Sequence, residues 1–275
     1  MKKILCPVDF SPVANNAIEY AAMLAQKINA EITLFHMQSI PLVDVDYVKP
    51  NVFDGLHEET KELEMKLDGY AQEISSTFNI KCHTEVELSN IISEIAVVAE
   101  ERNFDLLVVG TSGEDSLYDS VFGSNTYNMM RKTTCPMLII PSNVAYKNYN
   151  KVVYASNYEK GDIVSLIQFK KLFKNYNPII EILHISSHGT SRSVEIFEWF
   201  QDMVSEKLEN KFNLNFVRKV EDNIPEAIDE HMIREGADLL AICTKNRNFF
   251  QKLFHKSISR MISKIADYPV LVFHE

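Results

Sequence analysis

The sequence lacks the features that mark several common functions. No long block of lysine and arginine occurs, and the formal net charge is −10. That balance argues against a nucleic-acid partner, which needs a basic face. No stretch approaches the ~20 apolar residues that span a bilayer. Met1-Lys2-Lys3-Ile4-Leu5 begins like a secretory leader, but Pro7 and Asp9 break the apolar run too early. The expected location is therefore cytoplasmic, with neither membrane nor nucleic acid as partner. The four cysteines, Cys6, Cys82, Cys135 and Cys243, form no CxxC pair, and they read as reduced, mostly buried thiols. The pattern GxxxxGK[ST] is absent, so no P-loop lysine reaches a phosphate. GxSxG is absent too, which removes the nucleophile elbow.

What is present is a repeat. The 275 residues suggest two domains on length alone, and halves of that size can each bury a core. Ile4-Leu5-Cys6-Pro7-Val8-Asp9-Phe10 lines up with Val152-Val153-Tyr154-Ala155-Ser156-Asn157-Tyr158, and His36 with His184, at one offset of 148 (157 − 9 and 184 − 36). Later, Asp105-Leu106-Leu107 matches Asp238-Leu239-Leu240, and Cys135-Pro136-Met137 matches Tyr268-Pro269-Val270, at an offset of 133 (238 − 105 and 269 − 136). One event explains the change: the first copy carries 15 more residues (148 − 133) between the blocks. Most of that excess falls in residues 41–59, which read as a long loop after the second strand. The copies occupy 1–142 and 150–275, joined by a polar, turn-rich linker over 141–150.

Within each copy, short apolar runs alternate with stretches of helical spacing. Strands are expected at 3–8, 31–37, 81–87, 105–110 and 137–140, and helices at 12–28, 60–78 and 90–102. Val13, Ala17, Ala21, Leu24 and Ile28 form the stripe of the first helix. Ser11 before Pro12 is its expected N-cap. The second copy repeats the strands near 151–155, 179–185, 214–220, 238–243 and 270–273. Nearly continuous apolar strands separated by helices imply α/β domains with a parallel sheet covered on both faces.

In such a sheet, ligands sit beyond the carboxyl ends of the strands, where the strand order reverses. After the fourth strand comes Gly110-Thr111-Ser112-Gly113, then nine residues, then Gly123-Ser124-Asn125 before a helix. Gly110 would let backbone approach a ligand, and Gly113 would supply a turn. Gly123 and Ser124 would open the last helix, offering free N–H groups and the positive dipole end to phosphate. Each glycine alone is more simply a loop residue; three at this spacing point to phosphate.

The spacing G-x2-G-x9-G-[ST], with the start Pro7-Val8-Asp9-Phe10-Ser11, resembles the universal stress protein family, here as two tandem units. The resemblance implies Rossmann-like five-stranded sheets of order 3-2-1-4-5 that bind ATP (or AMP or ADP), with Mg²⁺ as an optional companion. Carried over by position, Asp9 would meet the adenosine, with Pro7 nearby, and the Met37 backbone would face the adenine edge. Val109, Gly110 and Gly113 would line ribose and phosphates, and Gly123, Ser124 and Asn125 would hold the phosphate tail. Asp9 also reads, more blandly, as a turn carboxylate before Ser11-Pro12. The last strands are apolar edges. In the family such strands pair between monomers, so the tandem chain is expected to pair them internally as a pseudo-dimer.

The second copy departs from the motif: Asp9, Gly110, Gly113 and Gly123 become Asn157, Cys243, Asn246 and Lys256. A side chain at the Gly110 or Gly123 position should crowd the phosphate, so no nucleotide is expected there. The basic run Lys245, Arg247, Lys252, His255 and Lys256 reads as a solvated loop. With no evident base, a stress-signalling module that holds nucleotide is favoured over an efficient hydrolase. A slow ATPase and a nucleotide-free interaction scaffold are the alternatives. The matched His36 and His184 read as shared structure rather than catalysis.

Overall fold

The computed structural model describes residues 1–40, 51–111, 124–186, 192–208, 212–244 and 267–275. The first half contains β1 (Lys2–Pro7), α1 (Pro12–Ile28), β2 (Ala30–Gln38), α2 (Asn51–Phe78), β3 (Cys82–Leu88), α3 (Glu94–Glu101), β4 (Leu106–Thr111), α4 (Ser124–Lys132) and β5 (Met137–Pro141). The second contains β6 (Lys151–Ala155), α5 (Lys160–Leu172), β7 (Ile179–Ser186), α6 (Arg192–Leu208), β8 (Asn213–Val220), α7 (Ile224–Glu235), β9 (Leu239–Thr244) and β10 (Val270–His274).

The strands form one ten-stranded sheet of order β3-β2-β1-β4-β5-β10-β9-β6-β7-β8. Each half thus has the order 3-2-1-4-5 expected of it. Pairing within each half is parallel, and β5 meets β10 antiparallel. Leu138 pairs with Leu271, its own counterpart at offset 133. Asn175 Nδ2 donates to the carbonyl of Lys27, its counterpart at offset 148, at 3.4 Å. Equivalent residues touching at both places mark a pseudo-two-fold axis through the middle of the chain. The two tandem domains are an internal pseudo-dimer, and neither final strand is left as an open edge.

Strand alternation assigns the faces. Ile4, Cys6 and Val8 join α1, α2, α5 and α6 in one core cluster. Leu5 joins α3, α4 and α7 in the other. Helix α1 begins as its sequence requires: Ser11 Oγ accepts from Ala14 N at 3.1 Å, with Pro12 in the first turn. It ends at Asn29 in the left-handed region. All four cysteines are free thiols. Burial pushes Cys82 up to about 11 and Cys135 up to about 12, and raises Cys6 further still, which keeps all three protonated.

Three expectations about elements need correction. Residues 51–59 are not loop but the opening turns of α2. Leu56, Leu63 and Leu67 continue one stripe, and Gly55 sits where a side chain would meet open space. Thr60 Oγ1, 2.7 Å from Gln38 Oε1, ties this part of α2 to the end of β2. Helix α3 starts later than the spacing suggests, at Glu94. Ser89 organises a turn ahead of it, accepting from Ile91 N at 3.1 Å and donating to Glu94 at 2.6 Å.

The linker is not merely polar. Tyr149 is buried, its hydroxyl accepts from Tyr20 at 3.0 Å, and its ring stacks on Tyr176 at 5.3 Å. Tyr146 bonds the Tyr176 hydroxyl, and Asn16 Nδ2 donates to the carbonyls of Pro141 and Val144 at 3.0 and 3.1 Å. The connection is therefore an aromatic plug between α1 and the second half.

Candidate functional site: a cleft at the strand-order reversal of the first half

The chain runs from β1 outward to β3, then returns across β1 to β4. The reversal opens a crevice between the carboxyl ends of β1 and β4. A cleft of about 400 Å³ lies there. Of the residues nominated from sequence, Pro7, Asp9, Met37, Val109, Gly110 and Asn125 line it. Ser124 is the first residue of α4. Gly113 and Gly123, like the basic run between 245 and 256, lie outside the described residues.

The β1–α1 turn shapes one wall. Asp9 is exposed and its Oδ1 accepts from Ser11 N at 2.9 Å, so the carboxylate holds the turn while facing the cleft. Phe10 takes a positive φ of 61°. Its ring packs on His36, centroids 5.1 Å apart, and beneath Lys66 Nζ at 3.8 Å. His36 Nδ1 lies 2.7 Å from the Val8 carbonyl. A carbonyl only accepts, so Nδ1 carries the proton. His184 repeats the contact to Ser156 O at 2.8 Å, and Tyr158 repeats the positive φ. The paired histidines are thus common architecture.

Sequence reasoning missed the other wall. Ile92 just before α3, Ile95 within it, and Thr126 and Met129 on α4 also line the cleft. Ile95 and Met129 were legible only as core positions, because a residue at the end of a buried stripe looks like any other member of it. Gly110 also answers to packing. A Cβ there would stand 2.7 Å from the Val13 carbonyl oxygen and 2.8 Å from Val13 Cγ1. It would strike the first turn of α1, which itself lines the cleft.

In the second half the two positions have exchanged roles. Cys243 replaces Gly110, and Gly161 replaces Val13 (161 − 148 = 13). A Cβ on Gly161 would collide with the Glu275 carboxylate, so that side chain takes the space beside the first turn of α5. Asp162, at the position of Ala14 (162 − 148), is buried. Its carboxylate accepts from Ser156 Oγ at 2.8 Å, and from Tyr154 Oη, Asn157 N and Glu159 N at 3.1 Å each. Burial pushes its pKa upward, while these hydrogen bonds pull it back.

The sequence profile of the universal stress protein family matches residues 1–141. This chain belongs to that family. The universal stress protein YxiE of Bacillus subtilis is 26% identical over 144 residues, covering 50% of this chain and 97% of its own length. The universal stress protein A homolog 1 of Coxiella burnetii is 28% identical over 141 residues, covering 50% and 95%. Among solved structures, a universal stress protein from Archaeoglobus fulgidus aligns with a TM-score of 0.74 and 17% identity over 99% of this chain and 98% of its own. A putative universal stress protein from Pseudomonas aeruginosa aligns at 0.57 and 12% identity, over 100% and 93%. At these identities the structures speak to the fold of both halves and to nothing finer. Among the described residues, no helix is long and apolar enough to cross a membrane.

Proposed function

We propose that the first-half cleft binds an adenine nucleotide, ATP or its AMP and ADP relatives, and that the protein acts as a nucleotide-holding stress-signalling module. The reading takes residues 1–142 as the nucleotide unit and 150–275 as its degenerate partner. One observation carries it: six residues nominated from the motif converge on one cleft, at the strand-order reversal of a universal stress protein fold. The chemistry of the lining suits such a ligand. Phe35, Ile95, Val109 and Met129 are buried and offer an apolar wall to a planar base. Asp9 offers an acceptor to sugar or base donors. Asn125 and Thr126, in the first turn of α4, bring polar groups and a helix N-terminus to the phosphates. Magnesium could accompany the phosphates without a dedicated protein cage.

Holding is favoured over turnover. Among the described residues lining the cleft, the titratable side chains are Asp9 and His36. Asp9 already accepts from Ser11 N and His36 already donates to Val8 O. Asp9 is committed to its turn, and the contact of His36 is repeated by His184 in the second half, which favours architecture over a base for an attacking water. The test is to denature freshly purified protein, identify released nucleotide by mass spectrometry and absorbance, and repeat with Gly123→Lys. A single adenine nucleotide per chain, lost in the variant, is expected. No nucleotide retained, and none bound from millimolar ATP, would overturn the reading and leave the tandem sheet as an interaction scaffold.

A further inference from the structure

The second half carries an ionisable cluster where the first half does not. Glu181 lies within β7, and His231 and Glu235 stand one helical turn apart on α7. Glu181 is 6% exposed and His231 0%. Their first-half counterparts (181 − 148, 231 − 133 and 235 − 133) are Thr33, Val98 and Arg102. The shared fold therefore has no need of these groups, and burying them is unfavourable unless something compensates.

Glu181 Oε2 and His231 Nε2 lie 3.3 Å apart, yet neither atom completes a hydrogen bond. Leaving both buried in that state is costly. The separation is, however, the edge of a metal tetrahedron. Two ligand atoms, each about 2.0–2.1 Å from zinc at a tetrahedral angle, stand about 3.3 Å apart. A Glu235 carboxylate oxygen completes a trio whose ligand atoms all lie within 4.8 Å of one another.

We propose that Glu181, His231 and Glu235 form a binding site for a divalent transition metal ion of the zinc type, with water in the fourth position. One imidazole with two carboxylates is a donor set that suits zinc. Two cations attend the metal-free form. Lys151 Nζ is 2.7 Å from Glu235 Oε2 and 3.8 Å from Glu181 Oε2. Arg234 Nη2 is 3.0 Å from His231 Nδ1. A guanidinium only donates, so Nδ1 accepts and the ring proton sits on Nε2, aimed poorly at Glu181. Metal binding moves that proton to Nδ1 and frees the Nε2 lone pair. It also releases Arg234, whose side chain is 60% exposed, and displaces the Lys151 ammonium from the carboxylates. No bond or electron is otherwise exchanged.

The inference makes Lys151 a competitor and Glu235 a ligand, and the test turns on that opposition. Full-length protein is stripped with chelator and titrated with Zn²⁺ by calorimetry, and bound metal is counted by elemental mass spectrometry. A single zinc per chain is expected. Glu235→Gln, at a partly exposed helix end, should weaken binding by at least roughly tenfold, the scale of losing even a supporting group. Lys151→Gln should tighten it by about as much, because the ammonium that reaches both carboxylates is lost, while Arg234 Nε, 3.1 Å from Glu235 Oε1, stays at the rim. Cys82→Ser combined with Cys243→Ser should change nothing. Absence of binding at millimolar zinc overturns the proposal. So does binding that both charge variants leave unchanged, or that the cysteine variant abolishes.

Discussion

Replacing Gly110 with cysteine, the residue its second-half counterpart carries, should destabilise the protein even with no nucleotide present. A Cβ at position 110 would lie 2.7 Å from the Val13 carbonyl oxygen, 2.8 Å from Val13 Cγ1 and 3.1 Å from the Val13 carbonyl carbon. Only Cγ1 can rotate away. The other two atoms are backbone, so β4 and the first turn of α1 must move apart. Overpacking of this kind costs about 1–3 kcal/mol, and a backbone-on-backbone clash belongs at the upper end. At roughly 2–4 °C per kcal/mol for a chain of this size, a loss of about 2–3 kcal/mol lowers the melting temperature by roughly 4–12 °C.

Val13→Gly alone should cost about 1–2 kcal/mol, through lost side-chain burial and a glycine in the helix. The second half pairs Gly161 with Cys243, so the double variant should cost about 1 kcal/mol less than the sum of the singles. The assay is urea and thermal unfolding of all four proteins, purified free of nucleotide. A Gly110→Cys protein as stable as the parent would refute the view that helix packing demands this glycine, and strict additivity in the cycle would assign the clash to the Val13 backbone alone. Destabilisation seen only with nucleotide present would return the glycine to the ligand.

Other outcomes follow from buried polar groups. Tyr149→Phe should cost about 1–2 kcal/mol, because the Tyr20 hydroxyl loses its buried partner. The double variant with Tyr20→Phe should cost less than the summed singles, and chemical denaturation measures both. Asp162→Ala removes the acceptor of four hydrogen bonds, and a loss of about 3 kcal/mol is expected; a loss below about 1 kcal/mol would mean that water replaces the carboxylate. Burial pushes His274 down to about 4 from its ordinary 6.5. Between those values the unfolded chain takes up a proton that the native protein refuses, so stability falls as pH drops from about 6.5 towards about 4. His274→Gln should flatten that slope in unfolding measured across the window, and an unchanged slope would exclude the imidazole as its source.

The repeat was legible because both offsets survive in core residues, where packing constrains chemistry: Leu5 with Val153, Leu107 with Leu240, Leu138 with Leu271. The strand order followed from the family resemblance. The lining of the candidate cleft was legible where the motif places residues at strand ends, as with Asp9 and Gly110. It was illegible where side chains reach the cleft from elements that also serve the core, as Ile95 and Met129 do. Residues 51–59 misread as loop because Gly55 and the adjoining prolines signal a break that α2 overrides with its apolar stripe. The linker misread as merely polar because Pro141, Ser142, Asn143, Asn148 and Asn150 signal turns, while the Tyr149 ring packs on Phe173 and Tyr176. No periodicity rule could have found the exchange between Val13 and Gly161, which becomes visible only when the two helix starts are superposed on the strands they touch.

That exchange bears on why one half should keep a nucleotide and the other should not. Cys243 takes the place of Gly110 while Gly161 takes that of Val13, and the side chain nearest Gly161 is Glu275. The stronger difference is charge. Ala14 becomes Asp162, and Ser142 becomes Glu275 (275 − 133), so two carboxylates enter where the first half has neutral residues, against the one that is lost as Asp9 becomes Asn157. Asp162 already takes up the loop donors at 156, 157 and 159. Glu275 sits by the first turn of α5, where the helix dipole favours an anion. The second half satisfies with its own carboxylates the donors and the field that a phosphate would need. Phosphate brought to the described part of that site would meet like charge, with the loop donors at 156, 157 and 159 already taken.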